Sequence, residues 1–158
     1  MAAASAHAAP FDRALADRRC DAARLLTETI LMRRPEVDSS TLRAVSAAGV
    51  RIAVDDFGTG NSSLSYLKHF PIDTLKIDQD LVREVTTNGN DAAIVSAIIA
   101  MGKSLQHRVV AQGVETLEQL DFLRAKGCAE GQGFFFSRPL SSRAFARQLA
   151  VDRSLLGA

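Results

Sequence analysis

The segment AVDDFGTGNSSL sets two carboxylates, Asp55 and Asp56, side by side at the end of an apolar run. Adjacent carboxylates in such a place repel one another and are poorly solvated, and a divalent cation is a common relief. In a strand their side chains leave on opposite faces, so both reach one site only if the backbone bends, which Gly58 and Gly60 would permit. A cation-free reading stands level with this one: Asp56 caps a turn or helix, and Asp55 pairs with Lys76. Lys76, between apolar neighbours in TLKID, could orient a water and stabilise negative charge on a phosphate, or simply form that pair. Glu115 and Gln132 add a carboxylate and an amide, although a Glu at a helix start is also favoured by the helix dipole alone.

These residues need elements to converge them. From about Ser39 onward the sequence alternates helical and extended patterns. SSTLRAVSAAG reads as a helix whose serines can cap its start and whose Gly49 can close its end. VRIAVDDFG reads as a strand, SSLSYLKHF as a helix stopped by Pro71, and DTLKID as a second strand. DAAIVSAIIAMGKSL carries Ile94, Ala97, Ile98 and Met101 at helical spacing. HRVVAQGV is the third strand, and TLEQLDFLRAKG the next helix, with Thr116 as N-cap. GQGFFFS reads as a fourth strand and SSRAFARQLA as a last helix. Before Ser39, residues 11–30 fit either an amphipathic helix or, at RLLTET, a strand.

Strands each followed by a helix specify a parallel α/β sheet with right-handed crossovers, either open and doubly wound or part of a (β/α)8 barrel. In both, strand C-terminal ends share one rim, and Asp55, Asp56, Lys76, Gln112 and Gln132 fall at or near such ends.

Composition narrows the partners. The chain has 158 residues, 47% hydrophobic and 23% charged, with a net charge of +1, as expected of one soluble domain and not of a binder of nucleic-acid polymers. Cys20 and Cys128 are distant from each other, and His7, His69 and His107 are scattered, so neither a zinc site nor a disulfide framework is expected. MAAASAHAAP lacks the features of a signal peptide, and AAIVSAIIAMG is far short of the ~20 residues that span a bilayer. The expectation is a cytoplasmic protein with no membrane segment.

DDFGTGNSSLSYLKHFPIDTLKID, VVAQGVET and GQGFFFSRPL, in this order, resemble the C-terminal part of the EAL domain, the bacterial cyclic di-GMP phosphodiesterase family. The resemblance divides the chain into a poorly defined segment 1–25, a partial EAL domain over 26–150 and a tail 151–158. It implies a partial (β/α)8 TIM-type barrel, made of the last four or so β/α units. In that family the site holds two Mg²⁺ or Mn²⁺ ions and hydrolyses cyclic di-GMP to pGpG. Position by position, the resemblance makes Asp55 and Asp56 metal ligands, Lys76 a binder of the hydrolytic water, Glu115 a catalytic-site carboxylate and Gln132 a substrate-site amide. Glu28, in LTET, matches a further metal ligand.

Three departures qualify this. The Glu-Ala-Leu signature and the early strands are absent, and a barrel of this type needs ~250 residues. Asn61 stands where the family has Tyr, in a loop associated with dimerisation and activation. Gln112 stands where the family has a metal-binding carboxylate proposed as general base, and a neutral amide neither accepts a proton near pH 7 nor binds a hard cation well. The resemblance therefore predicts a catalytically degenerate domain with a regulatory or protein-interaction role, in which Mg²⁺ or Mn²⁺ is bound weakly or not at all. Cyclic di-GMP and a second copy or partner protein are the expected associates. The alternative is a phosphodiesterase active once a partner chain completes the barrel.

Overall fold

The computed structural model describes residues 23–28, 35–60, 67 and 70–147. Five parallel strands form one sheet: β1 (Ala23–Thr27), β2 (Arg51–Phe57), β3 (Thr74–Ile77), β4 (Arg108–Gln112) and β5 (Glu130–Gln132). Their order across the sheet is that of the sequence. With right-handed crossovers, an unreversed order places every connecting helix on the same face. That is the arc of a barrel, and it decides between the two architectures: an open doubly wound sheet would reverse its order at a switch point.

Burial along the strands agrees. In β2, Ile52 and Val54 are buried while Arg51, Ala53 and Asp55 are partly exposed, and in β4 Val109 and Ala111 are buried between more open neighbours. The buried set packs on helices α1 (Pro35–Ala47), α2 (Gln79–Arg83), α3 (Gly89–Ser104) and α4 (Leu117–Ala125). Val82, Val95, Ile99, Leu120 and Leu123 supply most of the helix side of this core. Each fully buried aliphatic side chain of this kind contributes about 1.5–3 kcal/mol of burial free energy.

Several elements differ from the sequence expectation. The RLLT of RLLTET resolves within strand β1, because its backbone pairs with β2 from Ala23↔Arg51 to Thr27↔Asp55. The first helix begins at Pro35, so Ser39 and Ser40 lie inside it; proline's fixed φ suits a first helical turn, which starts the helix ahead of the serines. Gly49 does follow that helix with a left-handed φ of 82°. The fourth expected strand is cut to Glu130–Gln132, and the following phenylalanines form turns, with Phe134 and Phe135 52% and 40% exposed. Phe136 N–H bonds back to the Gly133 carbonyl, which ends the extension. A short helix, α2, was not foreseen; its N-cap is Asp78, whose side chain accepts the Asp80 N–H. The helix expected over SSLSYLKHF lies outside the described residues apart from the buried Leu67 and Phe70. The last expected helix is helical over 142–147.

Candidate functional site

The site forms where β2, β3, β4 and β5 end. Across β2 and β3, Val54 pairs with Leu75 and Phe57 with Ile77, so Asp55 and Asp56 together stand opposite Lys76. This is a β-bulge, and Asp56 takes a left-handed φ of 53° within it. The extra residue resets the alternation: Phe57 joins Ile52 and Val54 among the buried residues, and Asp56 is released to solvent. The bend that lets both carboxylates serve one rim therefore lies at Asp56 itself, one of the few residue types that tolerate this region.

Gly58 and Gly60 have a different task. The Gly58 N–H donates to Glu28 Oε2 at 3.0 Å, and a β-carbon on Gly60 would stand 2.8 Å from Glu28 Oε1. Glu28 is 3% exposed, so a buried carboxylate is turned toward the backbone of the loop that follows Asp56. The structure thus places Glu28 beneath the loop, one residue past the Thr27–Asp55 pair that ends β1, engaged by the chain that follows Asp56.

Lys76 Nζ lies 3.0 Å from Asp55 Oδ1, with both side chains less than a fifth exposed. Oδ1 accepts no aligned hydrogen bond and is itself shielded from solvent, so the contact is a charge pair of poor hydrogen-bond geometry. The Asp56 carboxyl is held above its ordinary range, by desolvation first and then by Asp55 and Asp78, with Lys76 opposing. Asp78 is a member of this rim that sequence reasoning missed; the signal was a carboxylate directly after the strand TLKI, in the position that caps α2.

Gln112 ends β4 half-buried, paired in register with Gln132 on β5. One residue beyond the Ile77–Ala111 pair lie Asp78 on one strand and Gln112 on the other. Val114 N–H donates to the Gln132 carbonyl at 3.0 Å, which ties the ends of β4 and β5 together. Glu115 is exposed, and its N–H is held by the Gln119 side chain. Thr116 caps α4 as expected, reciprocated by Gln119 in a capping box. Gln119 was also missed, although T-x-x-Q before an apolar run is the signature that finds it. From β1, the residues in register with Ala53 and Asp55 are Leu25 and Thr27, so that strand brings no carboxylate to the site face.

The donor set fits a cation only in part. A shielded carboxylate oxygen whose contact with Lys76 is not an aligned hydrogen bond, beside a second, mutually repelling carboxylate, is the electrostatic setting of one divalent ion. Yet among the described residues no three His, Cys, Asp or Glu side chains group closely enough to hold a metal. Asp55 and Asp56 could share one ion, and nothing described supplies a second.

A β/α barrel arc with carboxylates, a lysine and amides on its C-terminal rim is the class that fold and site define. Within it, the chain belongs to the EAL domain family, whose model matches residues 8–139. It is 45% identical over 125 residues to the bifunctional diguanylate cyclase/cyclic di-GMP phosphodiesterase MucR of Pseudomonas aeruginosa, covering 79% of this chain and 18% of that protein. The solved MucR phosphodiesterase in complex with c-di-GMP superposes with a TM-score of 0.75 and 45% identity, over 78% of this chain and 50% of that one. Klebsiella pneumoniae BlrP1, solved with manganese and cy-diGMP, superposes with a TM-score of 0.69 and 40% identity, over 74% and 30% of the two chains. This chain therefore spans half or less of these relatives. Its described part is a partial (β/α)8 barrel, and among the described residues no helix is long and apolar enough to cross a membrane.

Proposed function

We propose that this chain is a non-hydrolysing EAL-type domain that engages cyclic di-GMP in a regulatory role. The observation that carries this reading is Gln112: at the end of β4, level with Gln132 and one step from Asp78, the rim presents an amide. An amide can donate to and accept from a nucleobase or phosphate, but it cannot take a proton from water near pH 7. Lys76 meanwhile offsets Asp55, which moderates the repulsion an anionic dinucleotide would meet.

When bound, Mg²⁺ or Mn²⁺ would polarise a phosphoryl oxygen and acidify a water. Asp55 and Asp56 are the residues that would hold the ion, Lys76 would orient the phosphate, and Gln132 and Glu115 would border the dinucleotide. With Leu25 and Thr27 facing the site from β1, Gln112 in β4, and Glu28 engaged by the Gly58 N–H, the ion would be weakly held. We place the domain in the cytoplasm, where cyclic di-GMP signalling operates, and expect it to associate with a second copy or partner protein. β1 and β5 are the outer strands of the described sheet, and Phe134, Phe135 and Phe145 are exposed beyond β5.

A second reading is favoured by the survival of Asp55, Asp56 and Lys76 at one rim: a phosphodiesterase completed by a partner chain. Titrating the protein with cyclic di-GMP in Mg²⁺ and in Mn²⁺, with products followed by chromatography, separates the two. Binding without turnover is expected. Gln112→Glu should gain activity, by up to the ~10²–10⁴-fold that a general base contributes, only when the other β/α units of the barrel are present, supplied in the assay from an intact EAL domain. Rapid turnover by the unaltered chain would overturn the non-hydrolysing reading.

A further inference from the structure

Gln119 is 5% exposed, and one carboxamide serves three backbone groups from two parts of the fold. Its Oε1 accepts from the Glu115 N–H at 2.8 Å and from the Thr116 N–H at 3.0 Å. Its Nε2 donates to the Arg83 carbonyl at 3.3 Å, across a separation of 36 residues. The bond from Thr116 is the ordinary work of a capping box, and the one from Glu115 extends it by a residue. The third bond is not, because Arg83 is the last residue of α2.

That helix has five residues, Gln79–Arg83. It is too short to hold its shape by its own hydrogen bonds, and its last-turn carbonyls have no partner within the helix. The Arg83 guanidinium faces outward to Asp80 and Glu84, so its carbonyl is what remains for the core to satisfy. At the other end of α2, Gln79 lies against Gly113, where a β-carbon would stand 2.7 Å from Gln79 Cβ. Gly113 follows Gln112 and has a left-handed φ of 71°. The segment 112–116 thus grips α2 at both ends: Gly113 at its start, and through Gln119 at its finish. Asp78 caps that start.

We propose that Gln119 is a positioning residue of the rim: it locks the turn bearing Gln112 and Glu115 to α2, so that these two and Asp78 are held in one fixed relation. The ligand part of this inference rests on the binding role proposed above; the mechanical part does not.

Two variants divide the carboxamide's functions. Gln119→Glu keeps acceptors for the Glu115 and Thr116 N–H groups but sets an oxygen against the Arg83 carbonyl. Gln119→Leu removes both. Amide hydrogen exchange in the whole chain is the first readout. In Gln119→Leu, exchange should rise about tenfold at Glu115 and Thr116, which lose their acceptor, and at Val82, whose N–H donates to the Asp78 carbonyl and so reports fraying of α2 once the Arg83 carbonyl is released. In Gln119→Glu it should rise at Val82 alone. Titration with cyclic di-GMP in Mg²⁺ is the second readout, and affinity should fall about tenfold in both variants. If Gln119→Glu leaves Val82 exchange at the parental rate, or binds cyclic di-GMP as the parent does, the coupling is refuted. If the parent binds no cyclic di-GMP, the proposed function fails, and the exchange pattern still decides whether Gln119 joins the two elements.

Discussion

Removing either partner of the Lys76–Asp55 pair should destabilise the fold, and a double-mutant cycle should show the two to be coupled. At 3.0 Å the gross attraction is about 1.4 kcal/mol in bulk water and about 5.5 kcal/mol at an effective dielectric of 20. Both side chains are 17–18% exposed, between the surface pairs worth up to about 1 kcal/mol and the buried pairs whose disruption costs about 3–5 kcal/mol. A net coupling of about 1–3 kcal/mol follows. Lys76 also faces Asp56, so the cycle should be run with Lys76→Met and Asp55→Asn, and repeated in an Asp56→Asn background where that second attraction is gone. Urea denaturation followed by circular dichroism is the assay: with a slope of about 2 kcal/mol/M, a loss of 2 kcal/mol moves the midpoint by about 1 M. In 1 M salt, where the screening length is about 3 Å, this close and shielded pair should keep most of its coupling. A coupling below about 0.5 kcal/mol, or one abolished by salt, would show that the pair is solvated and does not hold Asp55 in place.

Mg²⁺ should bind no more tightly than millimolar, about 4 kcal/mol, because Asp55 and Asp56 are the whole of the described ligand set. In 10 mM Mg²⁺ the gain in stability should then stay below about 1.5 kcal/mol, and calorimetry showing two tight sites would contradict the geometry. His107 lies with its Nε2 buried and unpartnered, and burial holds its pKa below 6.5 against the opposing pull of the Ile72 backbone and Asp73. The unfolded chain therefore takes up a proton near pH 6.5 before the folded chain does, so this part of the stability is full above that pH and is lost as the pH falls toward the lower folded value. His107→Gln should flatten that slope between pH 7.5 and 5.5 in urea midpoints; an unchanged slope would count against a buried neutral imidazole. Gly133→Ala should cost at least about 1–3 kcal/mol, since its β-carbon would fall 2.1 Å from the Val114 carbonyl oxygen, a backbone atom with little room to give. A thermal melt like the parent's would refute the close approach of these two turns.

Much of the fold was legible because its signals are local. Alternating apolar residues in RIAVDDF and RVVAQ, the helical spacing of Ile94, Ile98 and Met101, and the cap at Thr116 each announce their element without help from the rest of the chain. The misses share a physical cause. The extension of GQGFFFS is cut short because Gly133 must pass beneath Val114, and α2 is held by Gly113 and Gln119 from segments far along the chain. Neither is visible in a window of neighbouring residues. Asp55, Asp56 and Lys76 stand out by type and spacing, but the bulge that brings them together is a matter of register between β2 and β3. Glu28 shows the limit of motif transfer: its engagement with Gly58 spans 30 residues and depends on β1 lying beside β2, which no local pattern announces.

The rim's charge balance gives the amide of Gln112 a physical meaning of its own. Asp55, Asp56 and Asp78 already crowd the ends of β2 and β3; desolvation first, and then Asp55 and Asp78, push the Asp56 carboxyl upward, and among the described residues Lys76 acts against that shift. A carboxylate at residue 112, level with Asp78 across the β3–β4 pairing, would add a further negative charge to the same rim. Such a cluster is tolerable when a divalent ion is bound and costly when it is not. With Leu25 and Thr27 on β1 contributing no ligand, the ion would be held too weakly to offset that cost. An amide at 112 relieves the repulsion and keeps hydrogen-bonding capacity beside Gln132. On the non-hydrolysing reading proposed above, the amide at 112 and the sparse ligand set of the described rim answer to one electrostatic condition: a rim that holds no cation gains by carrying one carboxylate fewer.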